Sequence, residues 1–477
     1  MRKLERHLLR LASVLIVLGL SSDLLLGSAG ERRWWGPALG AMLALLWAFT
    51  AWVLRRRRFQ GDELLLPLVA LLSGVGIVFL FHFQPALAWR QAIWLALGLA
   101  FFLLLTLALP TPARLEPYCY LSGAGAVLLL ALTVLFGKSV GGARSWLEVG
   151  PLTFEPSELS KILLVIFLAG YLARAGENLV SRDLQLGGRL LPRPNWTYFG
   201  PALLVWGGSL LLLALQKDIG AAVLALAVFL LMVYAASGEK SLLLFGLFWS
   251  AAALAGAAAA FPHVRLRFLV WLHPWRSAAE GGYQVLQGLF ALGTGGLWGT
   301  GLGQGHPDLI PAVATDLILA GIGEELGLAG SAAVLLALWL LLSRGLLIAR
   351  RARDRFDQLL ALGFTAVLAV QAFAITGGVV RLWPLTGVPF PFVSYGGSAL
   401  ISNLILVGLL AKVDAEKATS PPGQSIPLRT LAHLWTGSTA AVLLALLALV
   451  WWQLITGPSL AQDPRNPRTA RQPNPKA

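Results

Sequence analysis

FPHVRLRFLVWLHPWRSAAEGGYQVLQGLFALGTGGLWGTGLGQGHPDLIPAVAT, residues 261–315, lies between two apolar runs of membrane length. It holds Arg265, Arg267, Arg276, Glu280, His306 and Asp308 among glycine pairs and short apolar patches. So many polar groups and glycines are costly to place in hydrocarbon. Long ordered loops usually carry function. The stretch therefore belongs at a membrane surface, and the chain around it is read as a polytopic all-α membrane protein.

Composition agrees. The chain is 57% hydrophobic and 13% charged, where a soluble domain carries roughly twice that charge. Apolar runs of about 17–25 residues recur, each able to cross a bilayer as a helix. They predict spans near 8–28, 35–54, 63–82, 90–110, 117–137, 157–174, 198–215, 219–236, 240–260, 316–343, 358–380, 395–412 and 431–456. The net charge of +14 gathers beside span ends, as in Arg55–Arg58, which marks topology rather than nucleic-acid binding. With Cys119 as the only cysteine, no intramolecular disulfide forms. Three histidines share the 261–315 segment without ligand spacing, so no metal site is expected there.

Lys and Arg bias places the N-terminus and Arg55–Arg58 in the cytoplasm, with an uncleaved signal-anchor at the start. The 138–156, 216–218, 261–315 and 381–394 connections then share the outer face. The helix starting near Asp316 is longer than a bilayer core needs, so its first turns, with Glu324 and Glu325, are expected in the outer headgroup layer. Residues 282–302, broken by glycines, suit an interfacial or re-entrant helix pair. The tail from 457 has the composition of a disordered segment.

Four stretches carry chemistry. They are Gly142-Ala143-Arg144-Ser145-Trp146 through Pro151–Lys161; Gln216-Lys217-Asp218-Ile219-Gly220; Gly282-Tyr283-Gln284 with Thr315-Asp316 and Gly323-Glu324-Glu325-Leu326-Gly327; and Pro384 through Ser398. Glu158 and Lys161 stand one helical turn apart and suit an ion pair. Lys217-Asp218 reads as a structural pair or a cavity wall. Arg265 and Arg267 are phosphate candidates or membrane-surface charges. Arg144 can meet a pyrophosphate, a sugar acid or only its own loop.

In this order the four stretches resemble the RodA/FtsW/SpoVE family, the SEDS proteins of bacterial cell-wall synthesis, over about residues 63–413. The resemblance implies a ten-helix core at 61–413, with two extra helices at 1–60, a linker and extra helix at 414–456, and the tail. It also implies a peptidoglycan glycosyltransferase in the cytoplasmic membrane. Such an enzyme polymerises lipid II, an undecaprenyl-pyrophosphate-linked glycan, at the outer face, beside a class B penicillin-binding protein. No cofactor follows with certainty, though a divalent cation is compatible.

That chemistry needs a carboxylate base, cations for the leaving pyrophosphate and an apolar groove for the lipid. Glu280 and Asp316 are the candidate catalytic carboxylates. Arg144, Lys161, Lys217, Asp218, Arg265, Arg267, Tyr283, Gln284, Glu325, Ser394, Tyr395 and Ser398 are the candidate substrate contacts. Where the family loop carries its catalytic Asp, this chain has Ser277, counted three residues after Pro274 or six before Tyr283. Either Glu280 supplies the base from the same loop, or the chain is a non-catalytic scaffold for its partner. A lipid-linked precursor transporter is a third reading. Two lesser departures are Ala314, where His is common, and Glu155, where Gln is common.

Overall fold

The computed structural model describes residues 3–22, 32–140, 143–150, 152–186 and 189–416. Two helices, α1 (Lys3–Leu20) and α2 (Arg32–Arg56), precede the core. The chain continues through α3 (Leu65–Phe83), α4 (Pro85–Ala108) and α5 (Cys119–Phe136). Beyond a small sheet come α6 (Pro156–Ala175), α7 (Trp196–Leu215), α8 (Ile219–Ser237) and α9 (Lys240–Ala260). Two short helices, α10 (Pro262–Leu272) and α11 (Gly282–Gly295), lead to α12 (Ile318–Arg351), α13 (Arg355–Val379) and α14 (Gly397–Glu416).

Among the described residues, eleven helices are long and apolar enough to cross a membrane, and ten of them lie from Leu65 onward. The expected all-α polytopic architecture is therefore present. The first helix starts at Lys3 rather than near residue 8, because its amphipathic start continues into Lys3 and Glu5, and the 23–28 part of the expected span lies outside the described residues. It packs on α2 and α3. The expected span at 431–456 and the tail lie outside the described residues.

Helix limits follow local chemistry. Proline at the first helical position starts α4 and α6, where its missing N–H costs nothing. Asp218 caps α8 by accepting from the Ala221 amide at 2.9 Å. Asp62 and Arg344 are joined by an ion pair that ties the loop before α3 to the far half of α12. The bundle interior is tightly interdigitated; Trp206 stacks on Phe229 with ring centroids 4.1 Å apart.

The 138–156 connection is more ordered than a loop. Strands β1 (Lys138–Val140), β2 (Ala143–Val149) and β3 (Leu152–Phe154) form an antiparallel sheet, with Lys138 opposite Trp146 and Leu147 opposite Phe154. A hairpin of β4 (Val180–Leu186) and β5 (Arg189–Pro194) joins α6 to α7.

The long helix α12 is not continuous. It breaks at Gly327, whose φ of 66° and ψ of −164° only glycine adopts without strain. The segment after α11 fills the break. Leu328 and Ala329 donate to the Gly296 and Leu297 carbonyls, while Thr300 and Gly301 donate to the Glu324 and Glu325 carbonyls. The orphan groups of both half-helices are thus satisfied by neighbouring backbone, as an apolar surround requires. Residues 282–302 are accordingly one helix and an inserted loop, not a helix pair. Glu324 and Glu325 are each 1% exposed, sealed inside protein rather than placed among headgroups.

Close backbone approach makes this joint intolerant of side chains. A Cβ at Gly295 would lie 1.8 Å from the Gly323 carbonyl oxygen, whereas one at Gly207 would meet nothing within 4 Å. Gly295→Ala is expected to destabilise the detergent-solubilised protein by about 3 kcal/mol or more. Gly207→Ala should leave the melting temperature unchanged or slightly higher. Thermal unfolding of the two variants checks the contrast.

Candidate functional site

The four connections that carry the sequence signals converge on one cavity of about 1070 Å³. One wall is β2 and the start of α6; another is the 217–218 turn and the first residues of α8. Arg267, the 312–316 segment and the 386–399 segment close it, and α4 contributes Arg90, Trp94 and Leu97. Charge lies toward the connections, and apolar side chains of α4, α5 and α8 line the rest.

The 386–399 segment is held by backbone and amide bonds. Ser394 Oγ donates to the Thr315 carbonyl at 2.6 Å and accepts from the Phe390 amide. Tyr395 N–H donates to the Ala314 carbonyl at 2.8 Å, and Gln91 Nε2 to the Ser394 carbonyl at 3.1 Å. Ser394 is thereby a framework residue that does not line the cavity, while Tyr395 and Ser398 do line it.

Lys161 and Glu158 form an ion pair inside α6, with side chains 9% and 7% exposed. Ser402 of α14 donates to the same Glu158 oxygen, and Lys161 Nζ reaches Asn403 Oδ1 at 3.4 Å. The pair is satisfied across two helices and forms the floor of the cavity. The 216–218 turn is pinned similarly. Gln216 Nε2 donates to the Leu130 carbonyl at 2.8 Å, and the Arg144 amide donates to the Gln216 carbonyl. Lys217 sits at the tip with φ of 61° and lines the cavity beside Asp218.

Arg265 and Arg267 are two residues apart on α10 and point to opposite sides. Arg265 is exposed. Arg267 lines the cavity and donates to the Leu385 and Thr386 carbonyls at 3.0 and 3.1 Å.

Electrostatics separates the carboxyls. Burial raises the Asp316 proton affinity, and the Thr315 hydroxyl, the Arg267 charge and the Gln284 side chain lower it again. Burial also raises Asp218, opposed by the Ala221 amide and Arg267. Glu155 is pushed up to about 8, by burial first and then by the Glu158 and Asp218 charges. His263 is lowered by burial and by the Lys217 and Arg267 charges.

Of the expected site residues, Lys161, Lys217, Asp218, Arg267, Asp316, Tyr395 and Ser398 meet in the cavity. Gln284 joins them indirectly, through Asp316. Arg144, Arg265, Tyr283 and Ser394 do not line it. Arg144 instead braces the sheet, with Nε donating to the Gly137 carbonyl at 2.7 Å. Glu325 does not line the cavity either; its Oε2 accepts from the Gly303 amide at 2.9 Å, at the α12 break. Ser277 sits in a turn, its N–H on the His273 carbonyl and its own carbonyl accepting from Gly282. Glu280 ends a short 3-10 turn, Ala278–Glu280. Ser277 does not line the cavity. Sequence reasoning passed over Glu155, Arg90 and Trp94 as site residues. Glu155 alone carried a signal, as a departure from the family pattern beside Pro156.

Among the described residues, no group of three or more His, Cys, Asp or Glu side chains could hold a metal ion. Glu158 is engaged with Lys161, and Asp218 with the Ala221 amide.

Comparison with known proteins places these features in context. A family model described as "Cell cycle protein", covering FtsW, RodA and SpoVE, matches residues 59–419. A protein of Mycobacterium leprae named peptidoglycan glycosyltransferase RodA is 38% identical over 425 residues, covering 86% of this chain and 90% of its own. The stage V sporulation protein E of Bacillus subtilis is 30% identical, covering 72% and 85%. A chain from a peptidoglycan synthase complex, studied for how it coordinates polymerization and crosslinking, superposes with a TM-score of 0.63 at 29% identity; 76% of this chain and 99% of that one are covered. A crystal structure of the rod-shape-determining protein RodA of Thermus thermophilus gives a TM-score of 0.55 at 29% identity, covering 76% and 98%.

Removing Lys161 leaves Glu158 buried with only the Ser402 hydroxyl in place of its counter-charge. Lys161→Met is expected to cost about 3–5 kcal/mol of stability, and the double variant with Glu158→Gln to recover much of it. Thermal unfolding of the two proteins in detergent measures the difference.

Proposed function

The chain belongs to the FtsW/RodA/SpoVE family of cell cycle proteins, and from that premise we propose that it is a peptidoglycan glycosyltransferase. It extends glycan strands from lipid II at the outer face of the cytoplasmic membrane, with its N-terminus in the cytoplasm. The observation that carries this reading is the cavity itself. Cations, carboxyls and apolar helix side chains line it together. A substrate with a charged diphosphate, a sugar and a long hydrocarbon tail needs that combination.

The reaction joins an acceptor hydroxyl to the anomeric carbon of the donor sugar. The bond from that carbon to the diphosphate oxygen breaks with inversion, and undecaprenyl diphosphate leaves. Asp316 is the carboxylate placed to take the hydroxyl proton. Burial raises its proton affinity above that of a free carboxyl, as suits a base, while the Thr315 hydroxyl, Arg267 and Gln284 oppose the rise. Arg267 and Lys217 are the cations placed for the diphosphate. Lys161, held by Glu158, shapes the floor rather than serving as a free charge. Tyr395 and Ser398 offer hydroxyls along the same wall. Glu280, on the loop between α10 and α11, remains the alternative base.

A class B penicillin-binding protein is the partner this reading calls for, since new strands must be crosslinked. Ser277 favours a second reading, in which the chain scaffolds that partner without turning over lipid II. Serine cannot act as a carboxylate base at neutral pH.

Supplied with labelled lipid II and its cognate penicillin-binding protein, the purified wild type should make glycan chains. Asp316→Asn should slow them by about 10²–10⁴-fold. Loss of chains in Glu280→Ala, with Asp316→Asn active, would move the base to Glu280. A folded wild-type complex that makes none would support the scaffold. Translocation of lipid II in liposomes without polymerisation would support transport.

A further inference from the structure

Glu155 lines the cavity at the entrance to α6, just outside the span, and no step above uses it. Its backbone is fixed: the Glu155 amide donates to Ser398 Oγ at 3.1 Å. Its Oε1 accepts from Ser157 Oγ at 2.8 Å. Among the described residues, no protein group is shown hydrogen-bonded to Oε2.

The surroundings of this carboxyl are unlike those of its neighbours. On its own helix it faces Glu158 and Lys161, which are already committed to each other. The 216–218 turn brings Asp218 toward it, with Lys217 beside that. Arg267, Asp316, Tyr395 and Arg90 occupy the other cavity walls. Asp218 and Asp316 each have an arginine and an amide or hydroxyl in their favour. Glu155 has two carboxylates against it and only Ser157 and the already paired Lys161 for it. A carboxyl so placed keeps its proton to mildly alkaline pH, and a protonated carboxyl is a hydrogen-bond donor.

We propose that Glu155 is a specificity-determining residue of this site, donating a hydrogen bond from Oε2 to an anionic oxygen of the substrate's diphosphate. The inference rests on the glycosyltransferase reading and adds a regulatory consequence. When Glu155 ionises, a donor becomes a negative charge in a corner already lined by Glu158, Asp218 and Asp316, and it faces an anionic ligand. Binding then weakens as pH rises. The sign follows from a proton affinity raised above that of a free carboxyl: the contact is present at neutral pH and is lost through about pH 8.

The test uses the full-length protein and undecaprenyl diphosphate as the probe, with binding measured from pH 6 to 9.5. Wild type should lose about tenfold in affinity across the upper limb. Glu155→Ala should bind about tenfold more weakly at pH 7 and show no limb. Glu155→Gln, which keeps a neutral donor, should restore most of the pH 7 affinity and also show no limb. A purely structural role would not link rescue by Gln to disappearance of the limb. A limb that persists in Glu155→Gln, or a Gln variant as weak as Ala, overturns the assignment while leaving the glycosyltransferase reading intact. Absence of binding by wild type at every pH removes that reading, and this inference with it.

Discussion

A lysine inside an apolar layer must be held by the protein, and Lys161 is held by Glu158 and Asn403, with Ser402 donating to the same Glu158 oxygen. Two charges buried together cost more than they return unless their remaining hydrogen-bonding capacity is met. Here it is met from α14, so the same contacts that satisfy the pair fasten α6 to α14. The cavity stands on that junction. Once the Glu158 carboxylate is fixed, Glu155 one turn earlier is forced into a crowded acidic corner, and the start of α6 becomes a site wall.

The requirement that backbone groups be satisfied away from water acts again at the α12 break. Opening a helix at Gly327 exposes four carbonyls and amides to a region without water, and residues 296–301 take them up. This arrangement sets the position of the 312–316 segment, because the chain must pass from the filled break back to the start of α12. Asp316 thus owes its place in the cavity to bonds made around Gly327. The sheet at 138–154 performs the equivalent service on the other wall, carrying Ser145 and Trp146 to the rim.

Much of this was readable from the chain alone. The spans followed from apolar length, the Glu158–Lys161 pair from helical spacing, and the meeting of four connections from alternation of sides. What escaped depended on contacts distant in sequence. Glycine within an apolar helix is a weak signal, and nothing near Gly327 announces that residues some thirty positions earlier will fill a gap there. For that reason Glu324 and Glu325 were expected among headgroups and are instead sealed in protein. The strands at 138–154 are too short to show alternation. Arg90 and Trp94 belong to a span whose pattern speaks only of lipid, and their role appears once α4 packs beside α14.

Helix α9 has a mechanical meaning of its own. Leu242, near its start, is its one buried side chain among the described residues, so it is a cantilever fixed at the root. The short helix α10 hangs from its free end and carries Arg267. That tip is moored by bonds from Arg267 to the Leu385 and Thr386 carbonyls and from Trp271 to the Arg381 carbonyl. The guanidinium is therefore registered against the opposite rim of the cavity rather than by the beam that bears it. Slackening those moorings would withdraw a positive charge from the cavity wall.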